Sequence, residues 1–166
     1  MNAYATHVPV LEAVLEVVKP SSVVEFGSGT YSTEIFVKHC ARLVTVEQQE
    51  QVWFDMVCKR YAGIETVEPL WLPGMAAVEW FASNDEIFDV VFVDGETISR
   101  RPLVLEGMKK SGIVIAHDTE HGVYNLSNLP VLAGWGEYVY RAHSPWTTVW
   151  SASSEVLAAV VGKLEE

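Results

Sequence analysis

Cysteine is scarce in this sequence, which contains only Cys40 and Cys58 in 166 residues. The two form no CxxC pair and have no metal-ligand spacing around them, so neither a disulfide framework nor a cysteine-based zinc site is indicated. Free thiols are typical of proteins in a reducing compartment. We therefore predict a cytoplasmic location.

Basic side chains are also few. Lysine and arginine together number 11 against 22 aspartates and glutamates, which gives a formal net charge of −11. A surface that follows nucleic-acid phosphates needs a basic patch, so we expect no nucleic-acid partner. The excess of acidic side chains favours solubility and does not indicate a particular fold.

Long apolar runs are missing as well. The opening segment, MNAYATHVPVLEAVLEVVKP, has no basic start and is interrupted by His7, Pro9, Glu12 and Glu16. It therefore resembles neither a signal peptide nor a membrane-spanning helix, and we expect no membrane association.

The chain alternates short β-rich runs with helical ones, after an opening helical stripe that Pro20 ends. The predicted strands are 23–26, 43–46, 64–70, 88–93 and 112–116. The predicted helices between them are 32–40, 49–61, 75–82 and 98–110. Most of these strands are almost wholly apolar, as parallel strands covered on both faces are. The pattern predicts an α/β fold with a doubly wound, mostly parallel sheet.

The last third of the chain breaks this rhythm. Two β-rich runs, 137–142 and 147–151, are joined by the segment HSPW, which is typical of an antiparallel hairpin. A final helix over 154–164, with a serine N-cap, would pack back on the sheet. No repeat, low-complexity stretch or linker interrupts the chain, so we expect one domain spanning residues 1–166.

A glycine turn follows the first predicted strand, in VVEFGSGTYSTEIF. Gly27 and Gly29 can take turn conformations closed to other residues, and they let a ligand approach the backbone. The next helix begins near Ser32, and its free N–H groups favour an anionic or carboxylate group on that ligand.

The second predicted strand, in RLVTVEQ, ends in Glu47. In nucleotide-binding α/β sheets a carboxylate at this position accepts the ribose hydroxyls. The alternative is that Glu47 only caps a helix starting at Gln48 or Gln49, where acids are common.

Four motifs stand in order along residues 21–120: EFGSGTYST, VTVEQ, FDVVFVDG and SGIVIAHDT. Together they resemble the strand-end motifs of class I S-adenosylmethionine-dependent methyltransferases. The resemblance implies a Rossmann-like, seven-stranded sheet that ends in an antiparallel pair. It also implies S-adenosylmethionine as cofactor, and methyl transfer to an oxygen or nitrogen of a small-molecule acceptor.

The resemblance further assigns cofactor-binding residues. Glu25, Gly27 and Gly29 would hold the methionine portion, Glu47 the ribose, and Leu70 would flank the adenine near Glu68. The remaining cofactor-site residues are Tyr31, Ser32, Gln48 and Asp94. Two alternatives stay open: Tyr31 is a packing or surface aromatic, and Glu25 is a buried carboxylate satisfied by backbone donors of the glycine loop.

Asp94, His117 and Asp118 close the fourth and fifth predicted strands, at the sheet edge where such folds bind ligands. His117 is a candidate general base for an acceptor hydroxyl or amine. Asp94 is a second candidate if its surroundings raise its pKa. The alternative for His117 is an ordinary histidine hydrogen-bonded beneath a loop.

A metal site is a further possibility, with Asp94 and Asp118 as ligands and Glu120 or His121 beside them. Some metal-dependent O-methyltransferases of the resembled family use acids at these strand ends. They follow the second acid with asparagine, whereas Thr119 stands here, so we do not favour a metal. Asp118 is alternatively the N-cap of a helix starting near Thr119.

Residues 121–135 are candidates for the wall of an acceptor pocket, through Tyr124, Asn125, Asn128 and Trp135. The opening segment, with Tyr4 and His7, would close over it. Trp146 and Trp150 near the hairpin are either part of an exposed patch for a homodimer or part of the core.

Two rival functions remain. A nicotinamide-dependent oxidoreductase would use the same first turn and the same acid, but Ser32 replaces the third glycine of GxGxxG and little chain is left for a substrate domain. The other rival is a module that binds S-adenosylmethionine without transferring its methyl group, as the short chain suggests.

Overall fold

The structure is a computed structural model that describes residues 5–126 and 129–166. The helices are α1 (Val8–Val18), α2 (Ser32–His39), α3 (Gln51–Arg60), α4 (Ala76–Ser83), α5 (Thr97–Lys110) and α6 (Ser154–Glu165). The strands are β1 (Ser22–Phe26), β2 (Arg42–Glu47), β3 (Val67–Trp71), β4 (Val90–Val93), β5 (Ile113–His117), β6 (Gly136–Tyr140) and β7 (Thr147–Ser151).

The seven strands form one sheet in the order β3-β2-β1-β4-β5-β7-β6. Neighbouring strands among β1 to β5 pair in parallel, while β7 runs antiparallel to both β5 and β6. The predicted doubly wound sheet with a C-terminal hairpin is confirmed. The strand order reverses beside β1, so the carboxyl ends of β1 and β4 flank a crevice where open α/β sheets bind ligands.

Helices cover both faces of the sheet. Alternate strand residues such as Val24 and Val44 pack with Phe81 of α4 and Leu103 of α5. The intervening ones, such as Val23, pack with the helices of the other face, and the helical members of that core include Val14, Phe36 and Val160. Because each central strand is buried on both faces, its sequence is almost continuously apolar.

Trp150 belongs to the core rather than to an exposed patch. It is 1% exposed, and its indole N–H donates to Glu137 on the paired strand at 2.6 Å. Of the two alternatives that the sequence left open for Trp150, the structure shows the core. Trp146 is half-buried, with the guanidinium of Arg141 4.6 Å from its ring centroid.

The predicted boundaries differ most at β3. The strand begins at Val67 rather than at Ile64, because the Val67 N–H donates to the Ile64 carbonyl at 3.0 Å and closes a turn there. At the other end of the chain, the predicted serine cap is present. The Ser153 hydroxyl accepts the Val156 N–H at 3.2 Å, one residue before α6.

Within the described ranges, the helices are too short or too polar to cross a membrane.

Candidate functional site

The turn after β1 packs closely against the end of β4. Gly27 has a φ of 96°, and its amide donates to the Val46 carbonyl at 2.8 Å. A Cβ at this position would lie 2.5 Å from the Asp94 carbonyl oxygen, so only glycine fits. Gly29 lies outside the left-handed region, and a Cβ there would meet the Ser32 hydroxyl at 3.1 Å and the Tyr31 backbone nitrogen at 4.0 Å. The conformational argument made for both glycines therefore holds for Gly27 alone.

Glu25 is fully buried beneath this turn. Its Oε2 accepts hydrogen bonds from the hydroxyls of Thr33 and Thr45, both at 2.6 Å. The Gly29 N–H in turn donates to the Thr33 hydroxyl at 2.9 Å. Threonine hydroxyls, and not the expected backbone amides, thus hold the carboxylate, and through Thr33 the carboxylate supports the glycine turn.

The second oxygen of Glu25, Oε1, is buried without a hydrogen-bond partner among the described residues. Burial raises the pKa of Glu25 to about 7, although the nearby hydroxyls of Ser32, Thr33 and Thr45 oppose that rise. The group therefore changes protonation near neutral pH. As placed, its side chain supports the turn and has no surface exposed to a ligand.

Glu47 caps the loop that follows β2. Its Oε1 accepts the backbone N–H groups of the next three residues, Gln48, Gln49 and Glu50, at 3.0, 2.8 and 3.2 Å. Helix α3 begins only at Gln51, so Oε1 caps the loop before the helix. Oε2 has no hydrogen-bond partner within the described part of the chain, which leaves it available to a ligand hydroxyl.

An open cleft of about 680 Å³ lies directly beside this loop. It is lined by Gln48, Gln49, Glu50, Pro73, Gly74 and Glu96. These residues follow the carboxyl ends of β2, β3 and β4, so the cleft lies at the ligand-binding edge of the sheet. Its volume falls in the range of small-molecule and cofactor sites.

Gln48 links the loop after β2 to the loop after β3 and to the first turn of α5. Its side chain is 2% exposed, and its Nε2 donates to the Ser99 hydroxyl at 2.8 Å and to the Gly74 carbonyl at 3.3 Å. A Cβ at Gly95 would lie 1.8 Å from Gln48 Oε1, so the position accepts no side chain without a shift. The sequence analysis missed Gly95, although the Asp-Gly pair after a predicted strand is a turn signal.

Three other predicted cofactor residues are placed as follows. Leu70 packs against the hydrophobic core, and Pro73 and Gly74 line the cleft instead. Tyr31 precedes α2 and is 39% exposed, while Ser32 is 3% exposed beside Gly29.

A second group of polar side chains lies at the ends of β4 and β5, centred on Arg100. The Arg100 side chain is 5% exposed, and its Nη2 donates to Asp94 at 3.1 Å and to Asp118 at 3.2 Å. Its other nitrogens donate to the carbonyls of Gly95 and His117, both at 2.8 Å. Arg100 thus joins the two strand-end acids that the sequence analysis singled out, and it is a residue that this reasoning missed.

His117 is held on both ring nitrogens. Nε2 lies 2.8 Å from the Thr6 hydroxyl, and Nδ1 lies 3.3 Å from each carboxylate oxygen of Asp94. The histidine is 4% exposed, so Asp94, whose side chain is 23% exposed, is the member of the pair that a ligand can reach.

Asp94 was a candidate general base on the condition that its surroundings raise its pKa, and this condition is not met. Burial raises its pKa, but the hydrogen bond and charge of His117, and then the charge of Arg100, outweigh that effect. The net result is a pKa below the usual value. Asp94 is therefore ionised at neutral pH and suited to accepting a hydrogen bond rather than to removing a proton alone.

His7 lies beneath this group, just before α1. It is 3% exposed, and its ring centroid is 4.7 Å from that of His117 and 5.4 Å from that of Phe92. Neither ring nitrogen has a hydrogen-bond partner among the described residues. Burial, followed by the nearby His117, lowers its pKa to about 4. Tyr4, the other residue expected to close the pocket, lies outside the described residues.

Asp94 and Asp118, the two acids considered as metal ligands, lie close together, but both are paired with the guanidinium of Arg100. Glu120 turns away and accepts the Trp146 N–H at 2.7 Å and the Ser144 hydroxyl at 3.0 Å. Asp118 has a φ of 58° and is followed by a turn, so the helix that it was expected to cap is not formed.

The segment expected to wall an acceptor pocket is only partly placed at the site. Tyr124 ends a 3₁₀ turn at Gly122–Tyr124, and its ring centroid is 4.0 Å from the Arg100 guanidinium. The Asn125 carbonyl accepts a hydrogen bond from Arg101, and Trp135 packs against the core. Asn128 lies outside the described residues.

No protein-family model and no curated protein matches the sequence. The structure, in contrast, is similar to several solved methyltransferases. The O-methyltransferase TomG from Streptomyces achromogenes, involved in tomaymycin synthesis and solved with S-adenosylmethionine, has 19% identity and a TM-score of 0.72 over 91% of this chain and 80% of its own.

An O-methyltransferase from Bacillus cereus, solved with S-adenosylhomocysteine, has 16% identity and a TM-score of 0.69, over 88% of this chain and 80% of its own. The N-methyltransferase NodS from Bradyrhizobium japonicum has 15% identity and a TM-score of 0.60, over 87% of this chain and 93% of its own. Sheet order and these similarities agree: the chain has the Rossmann-like fold of class I S-adenosylmethionine-dependent methyltransferases.

Proposed function

We propose that the protein binds S-adenosylmethionine at the carboxyl edge of β1, β2 and β4 and transfers its methyl group to an oxygen or nitrogen of a small molecule. The observation that carries the proposal is the placement of Glu47. Its Oε1 is held by three backbone amides, and the three residues that donate them line a cleft of about 680 Å³. That arrangement suits a carboxylate that accepts ribose hydroxyls.

The rest of the site is consistent with this ligand. The N–H groups at the start of α2 suit the carboxylate of the methionine portion, and Gly27 lets a ligand approach the backbone. The cofactor supplies a methyl group on a positively charged sulfur. The protein binds and orients both reactants.

Acceptor activation falls to Asp94 and His117. Asp94 is ionised and partly exposed, so its carboxylate can accept a hydrogen bond from an acceptor hydroxyl or amine. His117 and Arg100 hold that carboxylate from behind. The small-molecule nature of the acceptor rests on the net charge of −11, which disfavours nucleic acid.

Calorimetric titration with S-adenosylmethionine and S-adenosylhomocysteine tests the cofactor, with NAD as comparator. Glu47→Gln is the informative variant, because the amide oxygen still caps the loop while the NH₂ group that replaces Oε2 no longer accepts a ribose hydroxyl. We expect adenosyl affinity to fall by roughly 10- to 100-fold, the value of hydrogen bonds to a charged group. Glu65→Gln, at an exposed acid in the turn before β3, is the matched control.

Three outcomes distinguish the proposal from its rivals. Adenosyl binding that Glu47→Gln weakens, together with S-adenosylhomocysteine formed from an acceptor panel, supports methyl transfer. Tight adenosyl binding without product across the panel points to a binding module. Binding of NAD in place of the adenosyl ligands would establish the oxidoreductase, although the antiparallel β7 already departs from the all-parallel dinucleotide sheet.

A further inference from the structure

Three potential metal ligands from distant parts of the chain meet beneath the ends of β4 and β5. His7 precedes α1, Asp94 follows β4 and His117 ends β5. One ligand atom from each lies within 4.8 Å of the other two. Both histidines are almost fully buried, while the carboxylate of Asp94 reaches the surface.

His7 is an unusual buried histidine because neither of its ring nitrogens has a hydrogen-bond partner among the described residues. Leaving a buried polar group unpaired destabilises the folded protein. Its ring packs against His117 with a centroid separation of 4.7 Å. A ligand for one of these nitrogens would remove this destabilisation, and the site for it lies beside His117 and Asp94.

His117 offers Nδ1 as a ligand atom beside Asp94. Its Nε2 lies 2.8 Å from the Thr6 hydroxyl, which is also 3.0 Å from the Pro145 carbonyl. In the tautomer with the proton on Nε2, the Nδ1 lone pair faces both oxygens of Asp94 at 3.3 Å. Two acceptors at that distance need either a proton or a cation between them.

The charges and spacing of the group suit a cation. Asp94 and Asp118 carry two negative charges and Arg100 one positive charge, so these three groups together carry a net charge of −1. Ligands about 2.1 Å from a tetrahedral ion lie about 3.4 Å apart, close to the separation of His117 Nδ1 and Asp94. His7 would have to approach by at most about 1.4 Å, and no hydrogen bond at its ring among the described residues opposes that movement.

We propose that His7, Asp94 and His117 form a binding site for a transition metal ion of the zinc type. Two imidazoles and one carboxylate favour zinc and similar ions over magnesium or calcium, which prefer oxygen ligands. Arg100 holds Asp94 Oδ1 and Asp118 Oδ2, so this site differs from the pair of acids expected from the sequence. Three protein ligands leave a fourth position, on the exposed side of Asp94, for water or a substrate atom.

The test is metal binding by the whole chain without cofactor or acceptor. Protein stripped with a chelator and dialysed is titrated with Zn²⁺ by calorimetry and with Co²⁺ by visible absorption. We expect one ion per chain at micromolar or tighter affinity. Bound Co²⁺ should show the visible absorption bands of a four-coordinate ion. Mg²⁺ at the same concentrations should not compete.

His7→Gln and Asp94→Asn should each weaken binding by roughly 100-fold or more, and Thr6→Val by roughly 10-fold through loss of the hydrogen bond that orients His117. His7→Gln fills most of the same space, and circular dichroism checks that each variant is folded. The matched control is His39→Gln, at an exposed histidine ending α2, which should leave the affinity unchanged.

Two results would overturn the proposal. One is less than one ion per chain, or an affinity that neither His7→Gln nor Asp94→Asn reduces. The other is a doubly protonated His117 at neutral pH by NMR without metal uptake, because a proton would then occupy the space between His117 and Asp94. Neither result bears on adenosyl binding at Glu47, so the two proposals fail separately.

Discussion

The carboxyl group of Glu25 should make the stability of this protein fall as the pH rises towards neutrality. In the folded protein burial raises its pKa from 4.5 to about 7. The folded chain therefore binds more protons than the unfolded chain between these values, and the free energy of unfolding decreases as pH increases through that window. The full difference corresponds to about 3 kcal/mol, reached above pH 7.

Glu25→Gln removes this dependence, because the amide is neutral at every pH and its oxygen can still accept from Thr33 and Thr45. We expect the variant to match the wild type near pH 4.5 and to exceed it by about 1–3 kcal/mol at pH 8. Urea unfolding at pH 5, 6, 7 and 8 measures the difference, with Glu68→Gln at a half-exposed acid of β3 as control. A stability difference that is the same at pH 5 and pH 8 would refute the reasoning.

Two further substitutions test packing and charge around the site. Gly95→Ala should destabilise the fold by about 1–3 kcal/mol, because its Cβ would lie 1.8 Å from Gln48 Oε1. Gly112→Ala is the control, since a Cβ there meets nothing within 4 Å. Urea unfolding compares the two variants, and equal losses of stability would contradict the contact at Gly95. Arg100→Met should lower the free energy of unfolding by about 3–5 kcal/mol, because it leaves two acids unpaired. Arg60→Met, at an exposed ion pair, should lower it by under about 1 kcal/mol. Thermal unfolding measures both variants, and similar losses would count against a buried ion pair at Arg100.

The sequence was sufficient to predict the sheet because its determinants are local. Apolar runs of strand length separated by helical segments specify parallel strands, and the segment HSPW between two β-rich runs specifies the hairpin. The strand-end acids Glu47, Asp94 and Asp118 follow from the same pattern, since parallel strands bring their carboxyl ends to one edge. The start of β3 was misplaced because Ile64 is apolar but closes a turn.

The contacts within the site could not be predicted in this way. The hydrogen bond between Thr6 and His117 joins residues 111 positions apart, and it forms only because α1 packs against the sheet in a particular position. Arg100 is one of two adjacent arginines, and only the three-dimensional packing decides which one turns inward. Likewise, no periodicity in the sequence indicates that Gly95 must make room for Gln48.

The position of Arg100 implies a thermodynamic link between the two halves of the site. The same guanidinium donates to the carbonyl of Gly95, the neighbour of Glu96 in the cleft, and to Asp94 and Asp118, next to His117. A ligand that displaces Gly95 must therefore alter the electrostatic surroundings of Asp94. Occupancy of either half should change the affinity of the other by the same factor, because coupling between two binding equilibria is reciprocal.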